Sequence, residues 1–330
     1  MTVSVCIPTY NQEKFIEQAV KSAYNQTFKP DEIIVSDDSS NDSTGIILKK
    51  LQSELPILKV ISQEINQGIT KNVNCCLRAA KGDLIVRLDS DDILHEGYIE
   101  SFVPLFQSNN NIGFGHCSIQ EIDENGNNKK VRTLFRKEGI QNSNDALMEA
   151  IEGYKVAANI IIFRRKVLEE VGFIKSTIDF AEDYYLTCSI SDLGYDNAYL
   201  KNKLASYRVW SDQGKLRSRR KLSEILGLIA VYDEVLEPAF LRRAWSVKKI
   251  EIAKENLAIR QADCLGWEIY SLAEKKKIDA ELNRLSNSLK ARTFYYLHLH
   301  GMGGIVNLPK MIKNKLKIAI KSVLLKKHVQ

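Results

Sequence analysis

Four times in its first 110 residues the chain follows a short β-branched run with a stretch of helical periodicity, and this rhythm restricts the fold more than any other feature. "VSVCI" (3–7) precedes a helical pattern over 13–26, with Phe15, Ala19, Ser22 and Ala23 on one face. "EIIVS" (32–36) precedes one at 42–53, "ILKVIS" (57–62) one at 69–81, and "DLIVRL" (83–88) one at 96–107. Alternation at this spacing predicts βαβ units and a mostly parallel sheet covered on both faces. "IGFGHCSIQ" (112–120) and "AANIIIFRR" (157–165) add later strands around a polar, Asn-rich loop at 123–130. Beyond about residue 215 only helical patterns remain, at roughly 219–236, 238–262, 264–276 and 278–300. The expected division is an α/β domain over 1–213, a helical region over 214–304 and a basic amphipathic tail over 305–330, with the boundary in "GKLRSRRK" (214–221).

Length and composition fit this division. A chain of 330 residues, 44% hydrophobic and 27% charged, buries a sizeable core and is not of disordered composition. No apolar run reaches the roughly 18 residues of a membrane span, and "MTVSVCIPTY" reads as a first strand rather than a secretory leader. Six scattered cysteines without a C-x-x-C spacing predict buried thiols in a reducing cytoplasm and argue against zinc. The last 30 residues carry seven lysines and no acid against a whole-chain charge of +6, so the other 300 sum to −1. Basicity is thus a property of the tail.

In an open α/β sheet, ligands bind beyond the carboxyl ends of the strands. The polar clusters lie there: "PTYN" after the first strand, "DDSSND" after the second, "NQG" after the third and "DSDD" after the fourth. Asp89, Asp91 and Asp92 put three carboxylates into four positions. They cap a turn or gather a cation. An EF-hand loop matches at Asp89, Asp91 and Glu100 but fails at Ile93 and Leu94, and a strand pattern precedes it. Mg²⁺ or Mn²⁺ shared with a diphosphate satisfies the charges better, with Asp91 or Asp92 the closer ligand. Ser39, Ser40, Asn41 and Asp42 suit capping of the next helix, while Asp38 can face the cleft and accept the N–H of a pyrimidine. Glu182 and Asp183 suit the first turn of a helix, and equally a general base.

Together these stretches resemble the family 2 glycosyltransferases. The resemblance rests on "SVCIPTYNQEKFIEQAVKSAYNQTFKPDEIIVSDDSSNDST" (4–44), "NQGITKNVNCCLRAAKGDLIVRLDSDD" (66–92) and "RRKVLEEVGFIKSTIDFAEDYYLTCSISDLGY" (164–195), in the family's order. It implies the α/β GT-A fold, a Rossmann-like mixed sheet, here with a helical C-terminal region. It implies a donor pocket of Pro8, Thr9, Tyr10, Asp38, Lys71 and Asn72, and a D-x-D pair, Asp89 and Asp91, with Asp89 nearer ribose or sugar and Asp91 or Asp92 on metal. It further implies Asp183 as the base of an inverting transfer from a UDP-linked sugar to a glycan or lipid-linked hydroxyl in surface polysaccharide synthesis. Two positions depart from the family pattern: Ser39 stands where Gly is usual, and Trp210 where many members have His.

Two basic stretches add expectations. Lys215, Arg217, Arg219, Arg220 and Lys221 form a solvated linker or a loop closing over diphosphate, with Arg219 and Arg220 contacting the donor. The tail sets Ile312, Leu316, Ala319, Ile320 and Val323 on one helical face beside Lys313, Lys317 and Lys321, which fits a packed helix or peripheral attachment to an anionic inner leaflet. A sugar nucleotidyltransferase would need a Gly-rich first loop where "PTYNQEK" stands, and a nicotinamide dehydrogenase would need G-x-G-x-x-G there. A non-catalytic scaffold would not need Asp38, Asp89, Asp91 and Asp183. The basic stretches lack the interleaved aromatics of a nucleic-acid binder.

Overall fold

The computed structural model describes residues 1–175, 179–211 and 218–304. The tail over 305–330, and Lys215 and Arg217 of the basic linker, lie outside the described residues. The expected alternation is present as β1 (Val3–Thr9), α1 (Ile16–Tyr24), β2 (Glu32–Asp37), α2 (Thr44–Glu54), β3 (Leu58–Ser62), α3 (Ile69–Ala79), β4 (Leu84–Arg87), β5 (Ile93–Leu94) and α4 (Tyr98–Ser108). It continues through β6 (Ile112–Ile122), β7 (Asn128–Arg132), β8 (Gly139–Gln141), α5 (Ser143–Ala150), β9 (Ile161–Arg164), α6 (Arg165–Val171), α7 (Glu182–Asp192) and β10 (Asp196–Arg208).

The strands form one sheet in the order β3-β2-β1-β4-β9-β6-β10-β5, with β7 on β6 and β8 on β10. β1, β2, β3 and β4 are mutually parallel, and β6 runs parallel to β10. β9 lies antiparallel between β4 and β6, so the sheet is mixed, while the carboxyl ends of β1, β2, β4 and β10 still share one edge. Period-two alternation explains the layering. Val3, Val5 and Ile7 of β1 pack with α1, α2 and α4, whereas Cys6 and Ile85 face α3, α6 and α7. All six cysteines are free, and all but Cys75 are buried.

Three differences from the sequence expectation have local causes. Residues 128–130, expected to continue the Asn-rich loop, begin β7, whose residues stay exposed but for half-buried Arg132, and so show no apolar alternation. β10 crosses a break in register at Lys201–Lys203, where exposed polar residues hide a 13-residue strand. The long C-terminal helices are divided. Ala244 takes a left-handed φ of 51°, Ser271 and Glu274 form a capping box, and Ser288 accepts the N–H of Ala291.

The described residues fall into two compact units, one of residues 1–175, 179–211 and 227–246 and one of residues 218–226 and 247–304. The first therefore holds, besides the sheet, the end of α8 (Lys221–Ala230), a π-helical turn (Val231–Leu236) and α9 (Glu237–Arg242). Within it, Arg243 and Arg242 both pair with Asp192, and Tyr232 bonds the carbonyl of Ile151. In the second unit, α10 (Lys248–Gln261), α11 (Leu272–Leu285) and α12 (Leu289–Leu299) bury Leu257, Leu282 and Ala291. Buried Lys221 there bonds Glu224 and Gln261 at 3.0 and 2.7 Å.

Candidate active site

β1 and β2 end in a tightly bonded corner. The Asp38 N–H donates to the Thr9 carbonyl, and buried Asn72 donates from Nδ2 to the carbonyls of Thr9 (3.1 Å) and Ser36 (3.0 Å). Asp38, 2% exposed, accepts the backbone N–H groups of Gln67 (2.8 Å) and Gly68 (3.0 Å), so its carboxylate fixes the loop that opens α3. Ser39 holds φ 64°, the left-handed conformation that a glycine would take at lower cost, so the turn is kept without the glycine. Helix α2 takes Ser43, one residue beyond the expected capping residues, as its N-cap without a side-chain bond, and Asp42 just before it accepts the N–H of Thr44 on Oδ1 at 2.9 Å. Pro8 and Thr9 are buried, whereas Tyr10 is exposed. Thr9 Oγ1 and Asn72 Oδ1 have no hydrogen-bond partner among the described residues. Lys71 is exposed on the first turn of α3.

The end of β4 carries the acidic cluster, and it is organised by a residue that the sequence reading missed. Arg87, 1% exposed, bonds Asp183, reaches Glu182 at 3.3 Å and holds Asp89 at 3.2 Å. Burial opposes its charge, but Asp183, then Asp89 and Glu182, outweigh that and keep the guanidinium firmly protonated. Its signal in the sequence was a lone cation inside the apolar run "DLIVRL". Asp183 sits in the first turn of α7, behind Ala181 at a left-handed φ of 60°. Burial pushes its carboxyl well above the usual carboxylate range; Arg87 opposes this, and Glu182 and Asp89 add to it.

A second basic residue, Arg208 at the end of β10, holds the rest of the cluster. Its backbone N–H donates to Asp92 Oδ1 and its Nε to the Asp91 carbonyl, both at 2.8 Å. Trp210 donates its indole N–H to Asp91 Oδ2 at 2.8 Å and packs edge-on against Phe15. Burial first, then Asp89, raises the Asp91 carboxyl. Burial, then Asp91 and Asp89, raises that of Asp92 further, and Asp92 Oδ2 is buried with no partner among the described residues. Among the described residues no three His, Cys, Asp or Glu side chains close a metal cage by themselves. The cluster still fits a divalent ion: a partly exposed carboxylate at Asp89, a buried oxygen at Asp92 without a partner among the described residues, and two carboxyls that burial and their neighbouring carboxylates raise despite Arg208.

Arg87 thus brings Asp89 and Asp183 onto one guanidinium, and Asn72 and Asp38 meet at Thr9. Arg219 and Arg220 belong to the second unit and are exposed just before α8.

A family model described as "Glycosyl transferase family 2" matches residues 4–172. An uncharacterized glycosyltransferase of Haemophilus influenzae is 27% identical over 87% of this chain and 94% of its own length. The GalNAc(5)-diNAcBac-PP-undecaprenol beta-1,3-glucosyltransferase of Campylobacter jejuni is 31% identical over 52% of this chain and 54% of its own length. The solved structure of S. aureus TarS 1–349 in complex with UDP superposes with a TM-score of 0.56 at 19% identity, covering 91% of this chain and 92% of that one. The mannosyltransferase PcManGT of Pyrobaculum calidifontis, in complex with GDP-Man and Mn²⁺, gives 0.53 at 19% identity, covering 92% and 86%.

Proposed function

The chain belongs to glycosyl transferase family 2 and has the GT-A fold, and on that premise we propose that it transfers a sugar, with inversion, from a UDP-linked donor to a hydroxyl of a lipid-linked glycan. The observation that carries the reading is Arg87, which joins the proposed base, Asp183, to the first acid of the D-x-D pair.

In this reading Pro8, Thr9 and Tyr10 line the base and ribose, and a free lone pair of Asp38 accepts the ring N–H of uracil. Asn72 acts from behind by tying the ends of β1 and β2 together. Asp91 and Asp92 hold Mn²⁺ or Mg²⁺, with Asp89 turned toward ribose or sugar. When bound, the ion supplies Lewis-acid stabilisation of the leaving diphosphate. Asp183 takes the proton of the acceptor hydroxyl, and its raised affinity for protons suits it to do so. The hydroxyl oxygen then bonds C1 from the face opposite the diphosphate, the C1–O bond to phosphate breaks, and nucleoside diphosphate departs. One displacement inverts the anomeric centre. Arg87 holds Asp183 and Asp89 in register throughout.

The UDP complex of TarS supports uracil as the base, and the Mn²⁺ complex of PcManGT supports a divalent ion. The undecaprenol-linked substrate in the name of the C. jejuni relative supports a lipid-linked acceptor. Among the described residues no helix is long and apolar enough to cross a membrane. Peripheral attachment to an anionic inner leaflet through the basic tail, which carries seven lysines and no acid over residues 301–330, is a further part of the proposal. The test is a panel of nucleotide sugars with a lipid-linked acceptor, in Mn²⁺ or EDTA, following nucleoside diphosphate. Release from a UDP-sugar that EDTA abolishes is expected. No release from any donor overturns the reading, and transfer that survives EDTA removes the metal from it.

A further inference from the structure

α3 begins behind Gly68, which has no side chain with which to cap it. A helix start ordinarily takes a side-chain oxygen of its own N-cap residue onto the second or third N–H. Here the oxygens come from two distant segments. Asp38 accepts the N–H groups of Gln67 and Gly68, and Asp179 accepts the Thr70 N–H, the second of the helix, at 3.0 Å across 109 residues of chain. Gly68 suits this arrangement twice over. Its φ is 90°, on the left-handed side of backbone space, and a Cβ there would stand 2.5 Å from Asp179 Oδ2. The missing side chain makes room for the carboxylate that replaces it.

Asp179 also opens the short segment that leads into α7. The carbonyl of Phe180, the next residue, lies so near Gly227 of α8 that a Cβ on that glycine would come within 2.4 Å of it. Ala181 then turns through its left-handed φ of 60°, and Glu182 and Asp183 follow in the first turn of α7. The segment is seated against a glycine at each of two successive residues, Asp179 on Gly68 and Phe180 on Gly227. Only Phe180 and Ala181 separate Asp179 from α7, and at no more than about 3.6 Å per residue they leave little slack.

We propose that Asp179 is a positioning residue for the transfer: by capping α3 from outside, it fixes Asp183 against the same loop that Asp38 holds. The proton acceptor and the donor pocket are then set by one backbone turn, Gln67 to Thr70. The inference rests on the roles proposed above for Asp38 and Asp183. Capping alone needs no distant residue, since an N-cap Ser, Thr, Asp or Asn supplies it locally. What the distant carboxylate adds is its place in the chain, four residues before Asp183.

The test compares the full chain of the wild type with Asp179→Ala and with Asp179→Asn, which keeps an acceptor oxygen for the Thr70 N–H. Amide exchange followed by mass spectrometry needs no substrate. In Asp179→Ala it should quicken about tenfold over 70–74 and also over 185–188, and in Asp179→Asn it should stay within about threefold of the wild type in both. Quickening confined to 70–74 makes Asp179 a helix cap alone and overturns the proposal, as does unchanged exchange in both segments. In transfer from a UDP-sugar to a lipid-linked acceptor, Asp179→Ala should lower kcat about 10–100-fold while UDP affinity by calorimetry stays within about threefold, and Asp179→Asn should recover most of the loss. Weaker UDP binding at unchanged kcat overturns the proposal. A wild type without turnover counts against the transferase reading, and the exchange comparison still decides the place of Asp179.

Discussion

Asp183, Asp91 and Asp92 are held in surroundings that resist their negative charge, which suits the proposed roles of proton acceptor and cation ligands. Asp183→Asn keeps the side chain's size and leaves Asp89 and Glu182 to pair with Arg87. Transfer should fall about 10²–10⁴-fold, while donor affinity by calorimetry stays within about twofold. Asp92→Asn tests the other half of the cluster. Asp92 is raised in the folded protein, so without metal the folded state holds its proton more tightly than the unfolded chain does. Its ionisation therefore costs stability as pH rises from the ordinary carboxylate range through the raised one. Thermal melts in EDTA should show Asp92→Asn more stable than wild type by about 1–2 kcal/mol near neutral pH. The gap should close in acid, and Mn²⁺ should stabilise the wild type alone. A wild type whose EDTA melts gain stability from pH 5 to 8 relative to the variant would contradict this assignment.

At the scale of elements, the end of β10 acts as the clamp of the acidic loop, through the Arg208 backbone, the Arg208 side chain and the Trp210 indole. Trp210→Phe keeps the ring packed on Phe15 and removes only the N–H to Asp91. The expected effect is a weaker metal requirement curve, with the apparent constant for Mn²⁺ raised about fivefold for a lost hydrogen bond of roughly 1 kcal/mol, and kcat at saturating metal changed less. Direct titration of Mn²⁺ should move in parallel. The helices and strands of the first 110 residues, the two-residue β5 excepted, were legible because their buried faces impose periods of 3.6 and 2 on the sequence. β7 and β10 were not, since an exposed edge strand and a strand interrupted by Lys201–Lys203 carry no such period. The acids of the candidate site, Asp89, Asp91, Asp92 and Asp183, stand out in the sequence because they cluster at element ends. The Arg87 and Arg208 contacts depend on tertiary pairing across 96 and 117 residues, which no local pattern records.

For the whole molecule, the proposed function places catalysis and membrane attachment in different parts of the chain. Removing residues after Gly304 should abolish co-sedimentation with anionic vesicles, seven lysines being lost, at about 1 kcal/mol each near the surface. Transfer to a water-soluble acceptor should persist. Equal vesicle binding by the truncated protein would move attachment elsewhere. The central claim is a single displacement at C1 with Asp183 as base, and the anomeric configuration of the first-formed product tests it most directly. With an α-linked UDP-sugar, proton NMR of the product before any mutarotation should show the β-linkage alone. An α-linked product would contradict the account.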